Sequence, residues 1–98
     1  MEVSFGDSTL DRLEIEARFD GGYSPGVVKA FRKRVQQIRA AEDERAFYAL
    51  KSLHFEKLKG ARDHQHSMKL NDQWRLIVEL ESSGKEKTIR VVGIEDYH

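Results

Sequence analysis

Ninety-eight residues, with 17 Lys plus Arg against 17 Asp plus Glu, give a chain of zero formal net charge that carries four His and no Cys. This length suits a single domain, residues 1–98, burying about two thirds of its unfolded surface, and the lack of Cys excludes a disulfide framework and thiolate metal sites. No apolar stretch approaches the roughly 20 residues of a membrane span, and the acidic start lacks the basic head of a signal peptide, so a soluble, cytoplasmic protein without a membrane partner is expected.

Val3 and Phe5 alternate with polar neighbours in a short opening strand, an edge candidate. Leu10, Leu13 and Ala17 then recur at helical spacing until Asp20-Gly21-Gly22 stops them, which predicts one short helix. Ser24 supplies an N-cap and Pro25 a residue suited to the first helical position; Val27, Val28, Phe31, Val35 and Ile38 form the apolar stripe of a longer helix. Its other face carries Lys29, Arg32, Lys33, Gln36 and Arg39. Glu42, Asp43 and Glu44 suit the positive end of a further helix docked by Phe47 and Leu50, and these two helices are expected to pair antiparallel.

After Gly60 the period changes from helical to alternating. Phe55 to Leu58 begins the sheet. Met68 and Leu70 alternate with Ser67 and Lys69, while Trp74, Leu76, Val78 and Leu80 alternate with Arg75, Ile77, Glu79 and Glu81, a hairpin. For both apolar sets to share one core, Leu70 must face Trp74 and Met68 must face Leu76, so Asn71-Asp72-Gln73 is the loop. That register sets Lys69 opposite Arg75 on the outer face, where like charges repel unless an anion covers them. Ser82-Ser83-Gly84 reads as the next turn. Thr88 to Ile94 reads as a central strand of ambiguous phase, since Ile89 and Val91 choose one face and Val92 and Ile94 the other, with Gly93 a candidate bulge.

Neutrality overall conceals segregated charge. Residues 1–26 sum to minus four, 27–41 to plus five, 42–56 to minus two, 57–75 to plus three and 76–98 to minus two. Two basic surfaces follow, either able to hold a polyanion locally.

Among chemical constellations, His64 and His66 share a strand face at zinc-ligand spacing but have no Cys to complete a site, so no metal is expected. Paired carboxylates on strand edges and a helix first turn serve solubility, and no phosphate loop or nucleophile motif is present. What remains is the second basic segment with the terminal Asp96-Tyr97-His98. RNA transesterification needs a base for the 2′-hydroxyl proton, an acid for the leaving 5′-oxygen and cations for the phosphorane, with no cofactor required. His98 titrates near neutrality. Arg75 and Lys69, with Lys57, Lys59 and Arg62, supply cations; Tyr97 or Trp74 offers a ring for an unpaired base, although core packing is the favoured reading of Trp74.

The stretch Phe55-Glu56-Lys57-Leu58-Lys59-Gly60 continuing to Arg62, then Gln65-His66-Ser67-Met68-Lys69-Leu70-Asn71-Asp72-Gln73-Trp74-Arg75-Leu76, and the terminal Asp96-Tyr97-His98 together resemble the HigB-type branch of the RelE/ParE toxins. The likeness is close over the second half of the chain, and the helical first half agrees in layout. It implies an α+β fold of the RelE-like kind, with N-terminal helices packed on a curved, mainly antiparallel sheet. It also implies a co-produced helix-turn-helix (HigA-like) antitoxin, and metal-independent endoribonuclease action on mRNA at the ribosome that inhibits translation. By position, the resemblance gives Arg75 the scissile phosphate, gives Asp96, Tyr97 and His98 orientation and proton transfer without dividing the labour among them, and gives Lys57, Lys59 and Arg62 the RNA. Some relatives carry a His near the place of His54, but here extra residues separate it from Leu58-Lys59-Gly60, so His54 is a candidate only. The alternatives are a non-catalytic ParE-like inhibitor of DNA gyrase and a silent antitoxin-binding module.

Overall fold

The apolar stripe of the longer helix forms one wall of the core. In the computed structural model, which describes residues 1–83 and 86–96, α2 (Pro25–Ala40) buries Val27, Val28, Phe31, Val35 and Ile38, all on the expected stripe. The Ser24 hydroxyl accepts from the Val27 amide at 3.4 Å, which satisfies one of the unpaired donors at the helix start. α1 (Ser8–Ile15) starts on Asp7, whose carboxylate accepts from the Leu10 amide at 2.9 Å, and contributes buried Leu10 and Leu13.

α1 stops well before the glycine pair. Arg32 of α2 donates to the carbonyls of Leu13, Glu16, Ala17 and Phe19 at 3.0, 2.9, 3.3 and 3.2 Å. A cation thus meets carbonyls of the last turn and of the segment just after it, at the helix's negative end, and the chain peels away around it.

The expected third helix is cut short. α3 covers only Arg45–Ala49, because the Asp43 carboxylate accepts from the Arg45 amide at 2.9 Å and pairs with the Arg45 side chain at 2.7 Å, so the acidic residues precede the helix instead of forming its first turn. Phe47 is buried as expected, whereas Leu50 is 46% exposed and does not dock the helix. It is α1, not α3, that ties closely to α2, through Arg32 and through Arg39, whose guanidinium grips Glu14 with two 2.8 Å bonds.

The sheet has strands β1 (Glu2–Phe5), β2 (Glu56–Lys57), β3 (His66–Lys69), β4 (Trp74–Ser83) and β5 (Glu86–Asp96), in the spatial order β1-β5-β4-β3-β2. All neighbours are antiparallel except β1 with β5. The hairpin register is the expected one: Met68 faces Leu76 and Lys69 faces Arg75, and the Leu70 amide donates to the Trp74 carbonyl at 2.9 Å. β4 runs on through Ser82 and Ser83, which sequence pattern assigned to a turn; Gly84 lies outside the described residues.

The ambiguous strand contains a bulge. Ile77 pairs with Gly93 but Val78 pairs with Val91, leaving Val92 as the extra residue. One inserted residue exchanges the faces, so Ile89 and Val91 before it, and Ile94 after it, all meet the helices. Gly6 follows β1 where its backbone approaches this bulge: its amide donates to the Val91 carbonyl at 2.7 Å, and a Cβ there would stand 3.3 Å from the Val92 Cα. Among the described residues, no helix is long and apolar enough to cross a membrane.

Candidate active-site cleft

The side of the sheet turned away from the helices is where the charged alternate positions gather. Register sets Glu56 beside Ser67, Ser67 beside Ile77, and Ile77 beside Gly93 in one row, with Lys69, Arg75 and Glu95 in the next. Although these positions face away from the core, Ile77 is 3% and Ser67 5% exposed. The segment joining β2 to β3 folds over them and encloses a cleft of about 220 Å³, lined by Glu56, Leu58, Arg62, Ser67, Arg75, Ile77, Glu95 and Asp96.

Within this cleft, Arg62 reaches from the covering segment to Glu95 on β5 in a two-pronged pair, Nη1 and Nη2 donating to the two carboxylate oxygens at 2.9 and 2.7 Å. Both partners remain 46% exposed, so solvent screens the pair and it adds at most about 1 kcal/mol to stability. Glu95 is also the direct cross-strand neighbour of Arg75, a half-buried residue whose Nη1 is fully enclosed. The expected clash of Lys69 with Arg75 is relieved by carboxylates: Asp72 pairs with Lys69 at 3.1 Å, and Glu95 stands on the other side of Arg75. Asp96 receives a 3.2 Å bond from the Gln73 amide nitrogen.

Arg62, Arg75 and Asp96 line the cleft, Asp96 at the strand end where its cross-strand partner is Trp74. Lys69 neighbours it on the same face. Lys57 and Lys59 are exposed on and just after β2. Trp74, offered as a stacking platform, lies instead on the helix side: its ring meets Tyr23 edge-on at 6.1 Å and packs on the core, which the alternation of β4 requires of the residue next to Arg75. His54 is exposed and adopts φ 48°, the left-handed region, and is the only non-glycine residue to do so among the described residues. Tyr97 and His98 lie outside the described residues.

His64 and His66 do not share a face. His64 points to Glu79 on the outer side at 3.6 Å, while His66 stacks on Phe55 with ring centroids 4.7 Å apart and an interplanar angle of 10°. Burial holds the His66 pKa below its ordinary value, with Lys57 adding to the effect and Glu44 opposing it. Its enclosed Nδ1 has no hydrogen-bond partner among the described residues. Sequence reading missed Glu95, Ser67 and Glu56 as cleft residues.

The other basic surface has a different character. With Arg32 and Arg39 committed to α1, the cations bordering the groove between α2 and the segment before it are Arg18, Lys29 and Lys33. This groove holds about 470 Å³, and Phe19, Pro25 and Val28 give it an apolar lining.

The family model for the RelE-like toxin of the type II toxin-antitoxin system HigB matches residues 3–94. No curated protein matches the chain. Among solved structures, a YoeB/ParE toxin from Agrobacterium tumefaciens superposes with a TM-score of 0.64 at 17% identity, over 100% of both chains, which is a likeness of fold. A helix layer on a five-stranded mixed sheet is thus shared architecture, and the family match over nearly the whole length assigns the chain: it belongs to the HigB-like, RelE-like toxins, the toxin component of a type II toxin-antitoxin system.

Proposed function

We propose that the protein is a ribosome-dependent mRNA endonuclease that inhibits translation, and that the outer-face cleft is its active site. The observation that carries this reading is that Arg75, Arg62 and Asp96 line one cleft at the end of β5, where the chain continues into Tyr97 and His98. Arg75 holds the scissile phosphate and offsets charge gathering on the phosphorane. One group of the Asp96-Tyr97-His98 end takes the 2′-hydroxyl proton as the 2′-oxygen bonds to phosphorus. Another delivers a proton to the 5′-oxygen as the P–O5′ bond breaks. The products are a 2′,3′-cyclic phosphate and a 5′-hydroxyl, and neither metal nor cofactor takes part. Lys57, Lys59 and Lys69 track the neighbouring backbone, and His54 stands as a further candidate contact.

The antitoxin, of the helix-turn-helix (HigA-like) kind, docks elsewhere. The apolar lining of the α2 groove, bordered by Arg18, Lys29 and Lys33, suits an acidic amphipathic protein segment better than an RNA backbone, which offers little apolar surface.

End mapping of message cleaved on translating ribosomes tests the nuclease. Cyclic phosphate ends support it, since attack by a metal-bound water would leave a linear phosphate end. Intact message with DNA damage on expression points instead to gyrase inhibition, and intact message with normal growth to a silent binding module.

A further inference from the structure

Glu95 belongs to the cleft but has no part in the chemistry proposed for it. Its carboxylate accepts both prongs of Arg62 at 2.9 and 2.7 Å and lies directly across from Arg75 on the same face. A carboxylate gripped by the guanidinium fork presents two oxygens with the spacing and planarity that two phosphate oxygens present to the same fork. The site therefore holds an anion of its own where an RNA phosphate has to go. The partners are half exposed and sit on different elements, one on the covering segment and one on β5, so they can separate without unpacking the core.

We propose that Glu95 is an internal substitute for the RNA phosphate: it holds Arg62 in position over the cleft, and substrate gains Arg62 only by displacing it. This rests on the reading of the cleft as an RNA site and adds its regulation. A toxin so built binds loose RNA weakly and depends on the contacts of a larger docking surface to complete the exchange. Glu95 is a positioning and affinity-setting residue, whereas the phosphate contacts are made by Arg62 and Arg75.

The test is binding of a 2′-deoxy-substituted RNA oligonucleotide, which cannot be cleaved, measured by fluorescence anisotropy over a salt series. Wild type is compared with Glu95→Gln, Arg62→Ala, the double variant and Arg75→Ala, with thermal midpoints as a check on folding. Glu95→Gln is expected to tighten binding about fivefold. It should also steepen the dependence of log Kd on log salt by about 0.7, the change expected for one added phosphate contact on a single strand. Most of that gain should vanish in the Arg62→Ala background. Two results would overturn the proposal while leaving the site intact: Glu95→Gln binding no more tightly than wild type although Arg75→Ala binds more weakly, or a gain of equal size with and without Arg62, which is the mark of simple charge removal. If Arg75→Ala binds as wild type does, the cleft is not the RNA site, and the reading on which the proposal rests falls with it.

Discussion

Arg32 and Arg62 come from the two basic segments of the chain and do opposite things. Arg32 donates to four backbone carbonyls at and just after the end of α1; Arg62 donates Nη1 and Nη2 to one carboxylate across a cleft and Nε to the neighbouring Gln65 Oε1. Four carbonyls of one main-chain stretch hold the Arg32 guanidinium together and cannot be exchanged for a passing anion, so Arg32 is fixed. A solvent-accessible carboxylate can give way to another anion, so Arg62 remains available. The partner, more than the density of positive charge in the sequence, separates a cation that builds the fold from one that can serve a ligand.

The sharpest contrast to force is between Arg75 and Arg32. Arg75→Ala should lower message cleavage on ribosomes by about a hundredfold or more with little change in thermal midpoint, since it removes charge stabilisation at the phosphorane while sparing the core. Arg32→Ala should do the reverse. It is expected to cost about 2 kcal/mol, roughly 10 °C in Tm, with cleavage per folded molecule within about twofold of wild type. Calorimetry and a cleavage assay on the same samples decide both.

A smaller effect tests the groove. Lys29→Glu with Lys33→Glu should weaken the cognate antitoxin about tenfold in a titration and leave cleavage by the free toxin unchanged. Equal loss of both would merge the two surfaces into one.

The smallest expected effect concerns His66, which sits on the helix side and takes no part in the cleft. Its folded pKa is depressed by burial, so between that value and the ordinary one near 6.5 the unfolded chain binds the extra proton. Stability therefore rises with pH through this window and is lost as pH falls below about 6.5. His66→Gln should flatten the slope of Tm against pH between about 5 and 7, leaving any pH dependence of cleavage to other groups.

These contrasts also show what sequence can and cannot carry. The register of β3 on β4 was legible because a binary pattern on two strands and one loop length admit a single solution. The phase of β5 was not, since the inserted Val92 reverses the alternation that pattern reading relies on. That is why Arg75 was placed on the outer face from sequence while Glu95, its neighbour, was not recognised as part of the site. Gly93 next to a switch in the β-branched alternation was the available signal. Arg32 was illegible for another reason: its partners are main-chain carbonyls at and just beyond the end of another helix, which carry no sequence identity and are brought together only by packing. Trp74 follows from alternation alone once Arg75 faces outward. The terminal Asp96-Tyr97-His98 was legible from its proton-exchanging groups, and the family likeness added their roles; of the three, only Asp96 is among the described residues.

Where the scissile phosphate lies decides whether the outer-face cleft is the active site. A structure of the toxin on a ribosome carrying message with a 2′-deoxy nucleotide at the cleaved position answers this directly. That phosphate is expected within ion-pair reach of Arg75, beside the end of β5, with Arg32 still on the carbonyls at the end of α1. A phosphate seated against the α2 surface, with the outer-face cleft empty, would contradict it.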